Sequence, residues 1–119
     1  MSCIRDLLAS FCPEIEDQLK PNLSGLKGLV VASQLPQAWN FKTETESVVF
    51  SIDKQGNASV RNGSVVAPDV TIVWKHDHLA MVLRNRSPSG LPKGALPSVT
   101  VHTSKGKRGY EILRKQIGI

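Results

Sequence analysis

The spacing of apolar residues changes twice along the chain. Ile4, Leu7, Leu8 and Phe11 recur at helical intervals, and Ile15 and Leu19 carry the stripe past Pro13. A helix that pauses or restarts at that proline is predicted, running as far as Pro21. Ser24 is placed to cap a short helix carrying Leu26, Leu29 and Val30, with Pro36 ending it. Beyond Pro36 the period falls to two. Trp39 and Phe41 alternate with polar neighbours, and Val48, Phe50 and Ile52 fall on one side of SVVFSID. Lys54-Gln55-Gly56-Asn57 and Asn62-Gly63 have turn chemistry on either side of a short strand from Ala58 to Arg61. Pro68 sets the entry to VTIVW, with Val70, Ile72 and Trp74 on one face. These three strands, joined by tight turns, read as an antiparallel meander.

The helical period then returns. In HDHLAMVLRNR, Leu79, Val82 and Leu83 share a face, Met81 flanks it, and Arg84 and Arg86 occupy the last turn, where cations suit the helix dipole. SPSGLPKGALP, residues 87–97, holds three prolines and two glycines in eleven residues, so it is an irregular connection. SVTVHT is a last strand, and SKGKRG leads into a closing helix with Tyr110, Leu113 and Ile117 on one face. The order predicts an α+β fold: a mainly antiparallel five-stranded sheet with helices packed on one face. All 119 residues form one domain, an N-terminal helical segment (1–36) followed by sheet, lid helix and C-terminal helix (37–119).

Composition narrows the function classes. With 40% hydrophobic and 21% charged residues the chain is a globular protein, not a disordered one. It holds no apolar run near the roughly 20 residues a bilayer span needs. The first residues lack the pattern of a signal peptide, so the expected compartment is the cytoplasm. Cys3 and Cys12 lie without other cysteines and without a C-x-x-C pair, which predicts two reduced thiols. Charge is uneven: residues 1–60 hold five Lys/Arg against seven Asp/Glu, and residues 61–119 hold ten against three. That asymmetry suits an anionic partner.

Two motifs invite chemistry. His76-Asp77-His78 sets a carboxylate between two imidazoles. On a helix, residues two apart diverge by roughly 200°, so the histidines cannot share a metal ion. No nucleophile elbow or HExxH motif accompanies them, and the polar trio reads as the start of a helix, with Asp77 facing its positive end. SKGKRG lacks Walker spacing, although Lys105, Lys107 and Arg108 beside a helix N-terminus could hold a phosphate or an anionic headgroup. Tyr110 is the one aromatic near these cations and its spacing points inward, which disfavours nucleic-acid binding.

The pair in WNF, the strand SVVFSID, the segment QGNASVRNG and above all PDVTIVWKHDHLAMVL have a family precedent. In the last segment Asp69 opens a strand carrying Thr71 and Ile72, Lys75 to His78 form a polar cap region, and Leu79, Val82 and Leu83 follow on a helix. Together with SVTVHT and a terminal helix, this stretch from Trp39 to Leu113 resembles the sterol carrier protein two family of small lipid-binding domains. Pro97 and Thr103 stand where that family usually has glycines. The resemblance implies a non-enzymatic domain without cofactor, with an apolar tunnel between helices and sheet for a fatty acid, acyl-CoA, sterol or other lipid. The residues it would draw on are Phe50, Ile52, Ile72, Trp74, Leu79, Val82, Leu83, Leu96, Val99, Val101 and Leu113. Arg84, Arg86, Lys93, Lys105, Lys107 and Arg108 are candidates for an anionic headgroup or membrane surface. The alternatives are a protein-interaction domain whose side chains fill the cavity, and a weak nucleic-acid binder acting through the basic half. Oligomeric state is not readable from the sequence.

Overall fold

The structure, a computed structural model, describes residues 3–23 and 33–117. The expected helix carrying Leu26, Leu29 and Val30 lies outside the described residues. The N-terminal stripe forms α1 (Ile4–Ala9) and α2 (Cys12–Leu19), with Pro13 in the first turn of α2, where its missing N–H has no intrahelical role. A single 3-10 turn, Lys20–Leu23, follows.

The sheet contains β1 (Gln37–Lys42), β2 (Ser47–Ile52), β3 (Ala58–Asn62), β4 (Val70–Val73) and β5 (Ser98–Val101), in the order β3-β2-β1-β4-β5. Register aligns Trp39 with Phe50 and Val70, and Phe41 with Val48 and Ile72. The alternation read from the sequence therefore becomes one continuous apolar face. Among the described residues its helical cover comprises α1, α2, α3 (His76–Asn85) and α4 (Ser104–Ile117). Ile4, Leu8, Phe11, Ile15, Leu79, Val82, Leu83 and Leu113 join Trp39, Phe41 and Ile72 in one buried core. Each such aliphatic side chain contributes about 1.5–3 kcal/mol through burial.

One topological expectation needs correcting. The meander ends at β3, an edge strand, and VTIVW does not continue it. β4 instead lies on the other side of β1 and parallel to it, so the sheet is mixed: three antiparallel pairs and one parallel pair. The connection 63–69 therefore crosses the face of the sheet opposite the helices. Asn40 holds it there: its carboxamide donates to the Val65 carbonyl and accepts the Val65 N–H, both at 3.0 Å. A buried asparagine on β1 thus acts as a one-residue strand partner, satisfying backbone groups that Asn62-Gly63 alone would leave to solvent.

Two tight turns are built by side chains. The Asp53 carboxylate accepts the N–H groups of Gln55 and Asn57, each at 2.9 Å, and Gly56 takes the positive φ of 83° that the β2–β3 turn requires. These hydrogen bonds, above all the one from the Asn57 backbone, hold the Asp53 carboxyl below the usual carboxylate range. In the β1–β2 turn the Thr43 hydroxyl accepts the N–H groups of Thr45 and Glu46.

Candidate functional site

The geometry of α4 depends on a buried carboxylate. Asp69 Oδ2 accepts the Ala38 N–H at 2.9 Å, and Oδ1 accepts the Thr103 hydroxyl at 2.7 Å. That hydroxyl in turn accepts the Gly106 N–H at 2.9 Å, which caps the first turn of α4. Lys105 Nζ lies 3.7 Å from Asp69 Oδ1. The family-like aspartate at the start of the strand therefore ties β1, β4 and α4 together.

SKGKRG, expected to lead into the helix, is its first turns. Gly106 and Gly109 are buried on one face of α4 because the sheet comes too close for a side chain. A Cβ at Gly106 would lie 2.4 Å from the Asp69 carbonyl oxygen, and one at Gly109 would lie 2.9 Å from the Gln37 carboxamide. Gln37 is itself buried and fixed: Nε2 donates to the Gln34 and Lys105 carbonyls, and Oε1 accepts the Trp39 indole N–H at 2.9 Å.

Beside this joint a cleft of about 660 Å³ opens between the end of α2, residues 34–37, the end of β2 and α4. Its described lining includes Leu19, Leu35, Ile52, Ile112 and Leu113, with Gln18, Gln34, Gln37, Arg108 and Glu111 supplying polar groups. The volume lies within the range of small-molecule pockets, about 300–1,000 Å³. Ile112 is 66% exposed at the edge of the cleft. A more open groove, about 950 Å³, runs past Trp74, Lys75, His78, Lys93, Ala95 and Leu96.

The candidate lipid-binding residues are distributed among four places. Ile52 and Leu113 line the first cleft, while Trp74 and Leu96 line the open groove. Trp74 is pinned by an indole N–H bond to the Ala95 carbonyl at 3.1 Å, and Leu96 is 82% exposed. Phe50, Ile72, Leu79, Val82 and Leu83 pack in the core, with Val99 half-buried against it. Val101 is exposed on edge strand β5.

The candidate cations separate similarly. Arg108 borders the first cleft and Lys93 the groove, whereas Lys105 faces Asp69 and Lys107 is solvent-exposed. Arg84 donates to the Ala80 carbonyl within its own helix. Arg86 ends α3 at a left-handed φ of 53°, pairs with both oxygens of Glu14, and lies 4.5 Å above the centre of the Phe11 ring. Its charge is engaged in joining α2 to α3.

HDH does begin α3, but the cap comes from elsewhere. Lys75 makes no side-chain cap bond; the His76 N–H is held by Glu44 Oε1 at 2.6 Å, from the β1–β2 turn. That bond is the main reason the Glu44 carboxyl sits below its usual range. His76 Nδ1 lies 2.9 Å from the Thr45 hydroxyl and 3.5 Å from Glu46 Oε2. Glu46 Oε1 also accepts the Arg5 N–H at 3.4 Å, in the first turn of α1. His102 contacts the Thr71 hydroxyl at 3.0 Å. Among the described residues no group of three or more His, Cys, Asp or Glu could hold a metal ion. Both cysteines are free thiols, with burial pushing the Cys12 pKa up.

The sequence reading missed Leu19, Leu35 and Ile112 as lining residues. Ile112 did carry a signal, since it is apolar yet falls off the Tyr110–Leu113–Ile117 stripe of its helix.

No protein-family model matches the chain, and no curated protein matches it. Among the solved structures similar to it, three illustrate the low sequence identity of the likeness. Sterol carrier protein 2 like 2 from Aedes aegypti aligns over 92% of this chain and 99% of its own, with a TM-score of 0.49 at 17% identity. The ubiquinone synthesis protein UbiJ-SCP2 aligns over 92% and 91%, with a TM-score of 0.43 at 11% identity. A double mutant of the sec-alkyl sulfatase PisA1 aligns over 81% of this chain, with a TM-score of 0.47 at 15% identity; the chain spans 15% of that enzyme. At these scores the likeness is one of general chain arrangement.

Proposed function

We propose that this chain is a small lipid-binding domain without catalytic activity, and that its ligand enters the cleft between α2 and α4. One observation carries the reading: the cleft brings Ile52 and Leu113 together with Arg108. The first two are residues that the family resemblance assigns to an apolar chain, and the third is one of the candidate cations for an anionic headgroup. The apolar part of the wall is aliphatic, and each methylene buried against it gains about 0.8 kcal/mol. Ten methylenes then supply about 8 kcal/mol toward the entropic cost of holding a flexible ligand. Arg108 at the border suits a lipid whose polar end remains near water.

A second reading has its own support. Ile72, Leu79 and Val82 are wholly buried in a continuous core, which favours an interaction domain with side chains filling the space between α3 and the sheet. Native mass spectrometry of the purified protein, joined to titration with a fluorescent long-chain fatty acid, separates the two. Saturable binding that Leu19→Trp blocks supports the cleft. No co-purified lipid and no saturable binding by folded protein would remove the lipid reading and leave the interaction domain.

A further inference from the structure

The exposed side of α4 carries more than the cleft requires. Five cations lie on this helix against a single carboxylate, Glu111. Lys105 is drawn to Asp69, which leaves Lys107, Arg108, Arg114 and Lys115 exposed to solvent. Helical spacing sets Arg108, Ile112 and Lys115 in one stripe (i, i+4, i+7), of which Arg108 and Ile112 line the cleft and Lys115 lies beyond it. Lys107 and Arg114 flank the other side of Glu111. The inward face is fixed against the sheet by Gly106, Gly109 and Leu113, so the orientation of this basic side is set by the fold.

From this placement we infer that the outer face of α4 docks on an anionic phospholipid bilayer, with Ile112 entering the headgroup layer and the mouth of the cleft turned to the lipid. The inference rests on the lipid-binding reading for its purpose, but on the surface of α4 for its physics. A bilayer matches both components of that surface: negative surface potential attracts the cations, and the interfacial layer accepts an exposed aliphatic side chain. A nucleic acid would satisfy the cations alone. Tyr110, the one aromatic of α4, is half-buried with its ring centre 6.0 Å from that of Trp39, so it offers no free face for a base. Among the described residues no helix is long and apolar enough to cross a membrane, which makes surface docking the mode that fits.

The test is flotation of the whole chain with phosphatidylcholine vesicles, with and without about 30% phosphatidylserine, beside a fluorescent fatty-acid titration of the same samples. Binding only to the anionic vesicles is expected. Arg114→Glu with Lys115→Glu, neither of which lines the cleft, lowers the partition coefficient about tenfold or more while fatty-acid affinity holds. Ile112→Ser removes the part of vesicle binding that survives high salt. Equal binding to neutral vesicles overturns the proposal, as does absence of binding by a protein whose circular dichroism shows it folded. Binding to a polynucleotide of equal strength, indifferent to Ile112→Ser, overturns it in favour of a general polyanion surface. Vesicle binding without fatty-acid binding upholds the docking face and removes only the cleft as a ligand site; the reverse result removes only the docking face.

Discussion

Gly106 is the residue where a general rule changes sign. Inside a helix, glycine to alanine ordinarily stabilises by about 1 kcal/mol. Here the new methyl meets the Asp69 carbonyl at 2.4 Å, backbone that cannot turn aside, so α4 must move off the sheet. Gly106→Ala is expected to destabilise by about 1–3 kcal/mol, read as a lower urea midpoint at unchanged slope. A raised midpoint would show that the contact has room to spare. Asp69→Ala is expected to cost about 2–4 kcal/mol, because it strands the Ala38 N–H and releases the Thr103 hydroxyl that caps α4. Loss of protection at the Gly106 amide, measured by hydrogen exchange, separates this from a general loosening. The sequence displayed Asp69 only as the opener of a strand. Its partner Thr103 is 34 positions away, and nothing in the spacing of apolar residues links the two.

Among the elements, the Thr43–Glu46 turn does the most with the fewest residues. Glu44 caps α3 and Glu46 reaches the first turn of α1, so one hairpin end organises two helix starts. Because folding lowers the Glu44 pKa, its contribution is complete above the carboxylate's unfolded pKa and is lost as pH falls through the lower folded value. Glu44→Gln should therefore reduce stability near neutral pH and flatten the acid limb of the stability curve. Parallel wild-type and variant curves on the acid side would show that the cap carries no charge dependence. Strands β1 and β2 were legible because burial of one face imposes a period of two. The start of α4 was less so, since KGKRG combines two poor helix formers with repelling cations. What holds it helical is the close approach of Gly106 and Gly109 to the sheet, which is a tertiary fact. The capping of α3 was misplaced for the same reason: the sequence pointed to neighbours, whereas the acceptor comes from a turn 32 residues away.

At the scale of the molecule, the space between α3 and the sheet and the cleft beside α4 are different places, and substitution can separate them. Leu83→Ala is expected to cost about 2–5 kcal/mol in unfolding free energy while leaving fatty-acid affinity unchanged. Loss of binding by a folded Leu83→Ala protein would instead put the ligand beneath α3. The sequence anticipated the layers, the five strands and the helical face, since each follows from where apolar residues recur. Strand order was beyond it: VTIVW is equally apolar beside β3 or beside β1, and the contacts that accompany its place beside β1 are distant in sequence, Asp69 with Ala38 and the Asn40 clamp on Val65 at the opposite face. That clamp has an observable counterpart in time. The Val65 amide lies in an irregular connection whose neighbour Val66 is fully exposed, yet its hydrogen is held by a buried side chain. It should exchange with solvent as slowly as the amides of β1, and Asn40→Ala should release it to loop-like rates. A single slow proton outside every strand would then report, in real time, whether the crossover is seated.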